Sequence, residues 1–374
     1  MKLLDELWLH CVCDFEADIA AKLAGVFGED DEGFCSDEID IAILKKLGVP
    51  TELADKLRDP GIYGQAQEII EYCKRDGIRI ITLESEEYPE ALRHVDLPPR
   101  ILFTKGLPLE ESCGALGVAV VGCRKPTEHG KTAARAIGKS LAQSGISVVA
   151  GLAEGIDTEG HWGAIEGGGK TVAVLAGSVD NIYPASNRKL YYEVLKHGTV
   201  VSERPPGTAV RPYFYTQRNR IIVGLSRGTV IVEGAMKGGT AITANWAEKY
   251  NRDVFGVPGT PVCWQSELPN ALISDGAIVV KSFDEPARYY GEQLPAEVKA
   301  PEENKTSDCP SPAGLGAEER KIYSFLYDCG GAATNEELLE ASGLTQKKLN
   351  VHLTMLCIKG IIRQESGNRY ILVK

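Results

Sequence analysis

Between residues 115 and 283, short apolar runs recur: Val118–Val121, Ser147–Ala150, Thr171–Leu175, Thr199–Val201, Val230–Val232, Val254–Val257 and Ile278–Val280. Many of their residues are β-branched, and helical patterns of roughly 10–20 residues separate several of them. Strands that short, alternating with helices, build βαβ units. A series of such units makes a doubly wound α/β fold around a parallel sheet.

The flanks read differently. Residues 1–79 read as short helices, with apolar residues three and four apart in stretches such as Asp18–Phe27 and Gln65–Arg75, punctuated by Pro50, Pro60 and Gly61. Residues 80–114 read as a connector that carries Tyr88-Pro89 and a short strand near Ile101–Phe103. The α/β core then spans 115–290. Residues 291–316 are rich in Pro, Glu, Lys and Ser and nearly free of large apolar residues, so they read as a linker. Residues 317–374 predict three helices and a hairpin, a winged-helix-like module. Ala317–Asp328 is the first helix. Thr334 and Glu337 make a capping box for Asn335–Ala341, and Thr345 caps Gln346–Lys359. Strands at Ile361–Gln364 and Tyr370–Val373 flank Glu365–Asn368.

At 374 residues the chain has room for two to three domains. No run approaches the roughly 18 apolar residues of a membrane helix. Asp5, Glu6, Asp14, Glu16 and Asp18 argue against a signal peptide. The ten Cys are scattered, so reduced thiols, a cytoplasmic location and no membrane association are expected. Cys11 and Cys13 have no second pair at zinc-finger spacing, and no metal is expected. The net charge of −11 hides an asymmetry: −13 over residues 1–114, +5 over 115–283 and −3 over 284–374. A basic middle permits a local anion-binding face inside an acidic protein.

Four segments carry candidate chemistry. Gly122-Cys123-Arg124-Lys125-Pro126 follows a strand and leads to Gly130 at a helix start, which is an anion site by geometry, with Arg124 as a bidentate phosphate donor. Gly151-Leu152-Ala153-Glu154-Gly155-Ile156-Asp157 follows the next strand. Its glycines allow close backbone approach, and Asp157 is either a site acid or a helix N-cap. Arg218-Asn219-Arg220 follows Arg211, Tyr213, Phe214 and Tyr215. Basic residues interleaved with aromatic rings suit single-stranded nucleic acid, whose bases stack while guanidinium groups hold phosphates. The same pattern also fits a helix start with a buried aromatic staple and a structural Arg, and both roles are expected among these residues. Glu233–Ala244 ends a strand and opens a helix through Gly238, Gly239 and Thr240, a phosphate cradle or a tight turn. The sequence holds no H-E-x-x-H, no P-loop and no G-x-S-x-G. Gly- and Arg-rich loops without a paired acid and base favour binding over catalysis.

In order along the chain, these motifs resemble the DprA/Smf family. The resemblance is carried by Tyr88-Pro89, Pro98–Phe103, Gly122-Cys123-Arg124, Gly151–Asp157 and Ala173–Gly177. It continues through Tyr183-Pro184, Ser202-Glu203, Arg218–Ile222, Gly239–Ala244 and Val257-Pro258-Gly259. It covers about residues 80–283. It implies an extended Rossmann-like core with an N-terminal helical, SAM-like domain and a C-terminal winged-helix-like domain. It implies a non-enzymatic DNA-processing protein of natural transformation that works as a homodimer, uses no cofactor, protects incoming single-stranded DNA and loads RecA recombinase. By the resemblance, Arg124 contacts phosphate with Gly122, Cys123, Lys125 and Gly151 around it. Arg211 is the basic residue ahead of Arg218-Asn219-Arg220, and Phe214 or Tyr215 is the stacking ring. Arg188 and Lys189 sit at the pocket edge, and Gly238, Gly239 and Thr240 complete it.

The chain departs from the family pattern at three places. Cys123 stands where the family has Ser, Tyr215-Thr216 where it has Phe-Pro, and Gly238-Gly239-Thr240-Ala241 in place of a Ser-Gly-Ser-Leu-type loop. A thiol in a loop that opens a helix is expected to have a lowered pKa and to be reactive. Two other classes compete with the DNA-binding reading: a nucleotide phosphoribohydrolase-like enzyme and a nucleotide sensor. Lys237-Gly238-Gly239-Thr240 lacks the Pro and the trailing Glu of the former. In the C-terminal module, Lys347, Lys348, His352 and Lys359 suit either duplex DNA or a protein contact.

Overall fold

The computed structural model describes residues 2–27, 41–291, 315–329, 331–342, 344, 346–365 and 369–372. The predicted runs form strands β3 (Gly117–Val121), β4 (Ser147–Ala150), β5 (Thr171–Val174), β6 (Gly198–Ser202), β7 (Gly228–Ile231), β8 (Asp253–Gly256) and β9 (Ile278–Val279). All seven are mutually parallel. Strands β3 to β7 are buried along their whole length, as a parallel sheet covered on both faces requires. The two-residue period is visible within β3. Val118 and Val120 pack with Ala133, Ile137 and Leu141 of helix Glu128–Gln143, while Ala119 and Val121 pack with Ile221, Ile222 and Ala244 on the other face.

The connector supplies more than the one strand expected of it. Both β1 (Arg79–Thr82) and β2 (Ile101–Gly106) join the sheet, with β2 antiparallel to β6 and β1 antiparallel to β2. The sheet is therefore mixed and nine-stranded, ordered β1-β2-β6-β5-β4-β3-β7-β8-β9. The order runs outward from β3 in both directions, through β4 to β6 on one side and from β7 on the other. The carboxyl ends of β3 and β7 thus form the topological switch point, where open α/β sheets place ligands.

The N-terminal helices include Leu3–Val12, Ala17–Phe27 and Pro60–Asp76. The last starts with Pro60 in its first turn, and the Asp59 side chain accepts the Gly61 N–H at 2.8 Å. These helices share an apolar core with Phe103, Leu175, Val179 and Leu190 of the α/β body. Glu6, buried in the first helix, accepts from Arg100 Nε at 2.6 Å, and Arg204 donates to Phe15 O at 2.6 Å. Residues 1–300 accordingly form one compact unit and 301–374 a second.

The second unit holds helices Ala317–Asp328, Asn335–Ser342 and Gln346–Ile358. Its three-stranded antiparallel sheet is ordered β10 (Ala332–Thr334), β12 (Arg369–Leu372), β11 (Ile362–Glu365). Strand β10 is additional to the expected hairpin. The capping box is present: Glu337 Oε2 accepts from Thr334 N at 2.7 Å, and Thr334 Oγ1 accepts from Glu337 N at 3.3 Å. Ile322 and Leu326 of the first helix, Leu338 of the second and Leu349, Leu353 and Leu356 of the third meet in the core of this unit. The Thr345 cap, the turn at 366–368 and nearly all of the expected linker lie outside the described residues. Among the described residues no helix is long and apolar enough to cross a membrane.

Candidate nucleic-acid interface

The loop after β3 leads into helix Glu128–Gln143, whose N-terminus is expected to hold a ligand anion. An internal anion fills it. Glu233, just past β7, accepts from Thr127 N at 2.9 Å and from Thr127 Oγ1 at 2.6 Å. Gly130 makes the room: a Cβ there would stand 2.5 and 2.6 Å from the two carboxylate oxygens. The Glu233 backbone O also accepts from Cys123 N at 2.8 Å. Burial and the Glu233 charge push the Cys123 thiol up to about 11, opposite to the reactive thiol expected from its position.

The second loop is held from within the protein as well. Asp157 Oδ2 accepts from Gly151 N at 2.9 Å and from Ala153 N at 3.4 Å. The helix that follows begins at Ile156 with Gly155 as its N-cap, so Asp157 ties the loop rather than capping the helix. Burial raises the Asp157 pKa, opposed chiefly by the Arg218 charge. Arg218 is itself buried. It donates to Gly151 O at 2.7 Å and to Val174 O, and its Nε donates to Asn219 Oδ1 at 3.2 Å. A Cβ on Gly151 would lie 2.5 Å from the Arg218 Cζ, so only glycine lets the guanidinium cross this loop.

Helix Pro212–Gly224 thus turns much of the predicted Arg–aromatic cluster inward, Arg220 and Phe214 among it. Arg220 is buried, paired with Glu203 and bonded to Leu97 O at 2.8 Å. Phe214 is 5% exposed, with the Arg204 guanidinium 4.1 Å from its ring centroid. The Arg204 guanidinium covers one face of the ring, which stands at a cleft apart from the switch point. Arg218 and Asn219 reach a cleft wall, with Arg218 Nε and Nη1 bonded to the protein and Asn219 Nδ2 donating to Gly239 O at 3.2 Å.

What remains open gathers at the switch point. Arg124 lies over the Tyr215 ring, 4.7 Å from its centroid. The pair divides two clefts. The larger, of about 340 Å³, is lined by Gly122, Cys123, Arg124, Asp157, Tyr215, Arg218, Asn219, Lys237, Gly238, Gly239, Thr240 and Trp264, among others. The smaller, of about 40 Å³, adds Gly151, Glu154, Asn181, Tyr183 and Pro184. On the floor of the larger cleft, helix Gly239–Lys249 starts at Gly238 with no side-chain cap. Its first-turn N–H groups have no intrahelical partner.

The other predicted residues lie apart from the two clefts. Lys125 is exposed but lines neither. Arg188 and Lys189 open helix Arg188–His197, and Lys189 Nζ lies 5.7 Å from the Trp162 ring centroid. Arg211 lines a third cleft, of about 850 Å³, beside Asp14, Glu16 and Tyr213. Lys237, Trp264 and Tyr183 are among the lining residues of the paired clefts that the sequence did not mark as contacts, the last two 47% and 52% exposed. Exposed aromatic residues in irregular segments carry no periodic signal.

The family model for DNA recombination-mediator protein A matches residues 79–290. Protein Smf of Synechocystis is 37% identical over 217 residues, 58% of this chain, and the match spans about half of that relative, 54% of its length. The crystal structure of DNA processing protein A from Streptococcus pneumoniae superposes with a TM-score of 0.61 at 27% identity, covering 76% of this chain and 96% of that one. A structure of DNA processing protein A from Helicobacter pylori, reported for its single-stranded DNA binding mode, gives 0.52 at 27% identity, covering 58% and 98%.

Proposed function

Because this chain belongs to the DNA recombination-mediator protein A family, we propose that it is a DNA-processing protein of natural transformation that binds and protects incoming single-stranded DNA and loads RecA onto it. In this reading it acts in the cytoplasm as a homodimer, without a cofactor. The helices of 1–79 serve as a SAM-like domain joined through 80–114 to the Rossmann-like core of 115–290. A linker over 291–316 joins that core to a winged-helix-like module at 317–374.

The observation that carries the proposal is the pair of clefts at the switch point. There a cation stacked on an aromatic ring, Arg124 on Tyr215, stands beside Lys237 and an uncapped helix start. Phosphates need the cations and the N–H groups, and bases need the ring faces. We take the protein as a binder rather than an enzyme because the carboxylates near the clefts are already engaged. Glu233 is bonded to Thr127, Asp157 to Gly151 and Ala153, and Glu154 to Ser186 Oγ at 2.6 Å. Among the described residues, each carboxylate that lines the clefts is thus hydrogen-bonded within the protein.

The test is binding of a fluorescent oligo-dT of about 30 nucleotides, and of its duplex, across a salt series. For single strands the logarithm of affinity falls with a slope of about −0.7 per phosphate contact. Single-strand preference is expected, and Arg124→Glu should weaken binding to every sequence and flatten the slope. An Arg124→Glu protein that binds like the parent would show that the site is misplaced.

A further inference from the structure

A separate cleft of about 490 Å³ lies at the other end of the sheet, where the parallel strands begin. Gly117 opens β3 there, and Arg227 and Arg252 immediately precede β7 and β8. Backbone bonds fix Arg227 in place: its N–H donates to Gly117 O at 2.8 Å and its O accepts from Asp253 N at 3.3 Å. Its side chain is exposed and, among the described residues, has no hydrogen bond or ion pair. Arg252 is half-buried. Its Nη2 donates to Ala91 O at 2.9 Å and, at 3.5 Å, to Gly224 O, while its buried Nε has no partner among the described residues. Burial lowers the Arg252 pKa, and the Arg227 charge lowers it further. Asp253, whose charge also reaches Arg252, accepts from Tyr290 OH at 2.7 Å. Two guanidinium groups therefore share one cleft with no carboxylate bound to either.

The rim carries the opposite charge. Glu86, Glu87, Glu90 and Glu110 line the same cleft, and all four are exposed. Glu90 pairs with Arg93 at 3.2 Å and with His94, while the other three pair with no cation among the described residues. Helix Pro212–Gly224 ends here, with Leu225 in the cleft wall, and a helix C-terminus favours positive charge. Four acids against two arginines repel a polyanion such as DNA. A purely cationic ligand would leave the arginines unmet. One anionic group with cations around it satisfies both, and the volume suits a few residues of peptide. We infer that this cleft receives the carboxy-terminal end of a basic peptide segment of a partner protein. Arg227, supported by the Arg252 charge, holds the terminal carboxylate, and the glutamates hold Lys or Arg side chains upstream of it. The inference stands apart from the DNA-binding reading, since the switch point lies at the carboxyl ends of the same strands.

The experiment follows the anisotropy of a fluorescein-labelled peptide, Ala-Lys-Lys-Ala-Lys-Leu, titrated with the full chain. The peptide with a free carboxylate should bind, more weakly as salt rises. Its C-terminal amide should bind about 10- to 150-fold more weakly, the loss of one charge-assisted contact. The acidic counterpart Ala-Glu-Glu-Ala-Glu-Leu should not bind. Arg227→Gln should bind acid and amide alike and unfold at the parental urea midpoint, because that side chain has no internal bond to lose. Glu86→Gln with Glu87→Gln should weaken both forms together, by about 1.5- to 5-fold per glutamate. Saturating oligo-dT should leave the peptide bound. Displacement by oligo-dT would put the peptide at the switch point and overturn the inference. So would equal binding of acid and amide by the parent, an acid preference that survives Arg227→Gln, binding of the acidic peptide as tight as that of the basic one, or no binding of either at about 1 mM.

Discussion

Arg220 offers the sharpest division between a ligand-binding and a structural arginine. Its side chain is 5% exposed and its partner Glu203 8%, and the pair is supported by Leu97 O. Removing one member of a buried pair leaves the other charged and unsolvated, at a cost of about 3–5 kcal/mol. That is a large share of the roughly 5–15 kcal/mol by which a folded domain is stable. With a urea m-value near 3 kcal/mol/M, the upper end for small proteins, Arg220→Met should lower the midpoint of the 1–300 unit by about 1 M or more. Pairing it with Glu203→Leu removes both charges and should recover much of the loss. The assay is urea unfolding followed by circular dichroism, with oligo-dT affinity measured per folded molecule. Affinity should hold while the midpoint drops. The reasoning is refuted if Arg220→Met unfolds at the parental midpoint and loses DNA binding, because the guanidinium would then serve the ligand and not Glu203.

Two further outcomes follow from the same packing. Gly151→Ala should displace the Arg218 guanidinium and leave Gly151 O and Val174 O without their charged donor, at about 1–3 kcal/mol for each buried acceptor. In an Arg218→Ala background the same substitution should add little, which a double-mutant cycle of unfolding midpoints will read. His161 is fully buried, its Nδ1 lies 2.7 Å from Thr171 Oγ1, and its Nε2 has no partner among the described residues. Burial, reinforced by Arg218, pushes its pKa down to about 3. The unfolded chain takes up the proton near pH 6.5 and the folded one does not. Stability from this site is therefore complete above pH 6.5 and falls by about 1.4 kcal/mol per pH unit on the way down toward 3. His161→Phe should show a shallower loss of midpoint between pH 7 and 4.5 than the parent.

The seven parallel strands were legible because strands covered on both faces read as unbroken apolar runs. β1 was not: its four residues, Arg79–Thr82, alternate weakly, and it belongs to the sheet only through pairing with Ile101–Gly106. The glycine loops of the site were legible too, since close approach and helix starts leave a local pattern. The roles of individual side chains were not. An arginine in a sequence shows its charge but not whether it will meet water or a carboxylate, and Glu203 lies seventeen positions before Arg220. Phe214 and Tyr215 are neighbours on a helix, about 100° apart around its axis. One faces Arg204 and the other Arg124, and composition alone does not set that phase.

The Glu233 carboxylate gives the fold a different standing among its relatives by architecture. At the first helix of a dinucleotide-binding fold, the N-terminus is a vacancy that a cofactor's pyrophosphate completes. In this chain the vacancy is closed by a covalently attached anion, at permanently high local concentration, that no metabolite has to outcompete or replenish. The step from this protein to a cofactor user would begin with the loss of an acid, not the gain of a base. Until Glu233 and the space at Gly130 change together, mutation elsewhere in the loop can tune what lies on the surface of the site but cannot open that door.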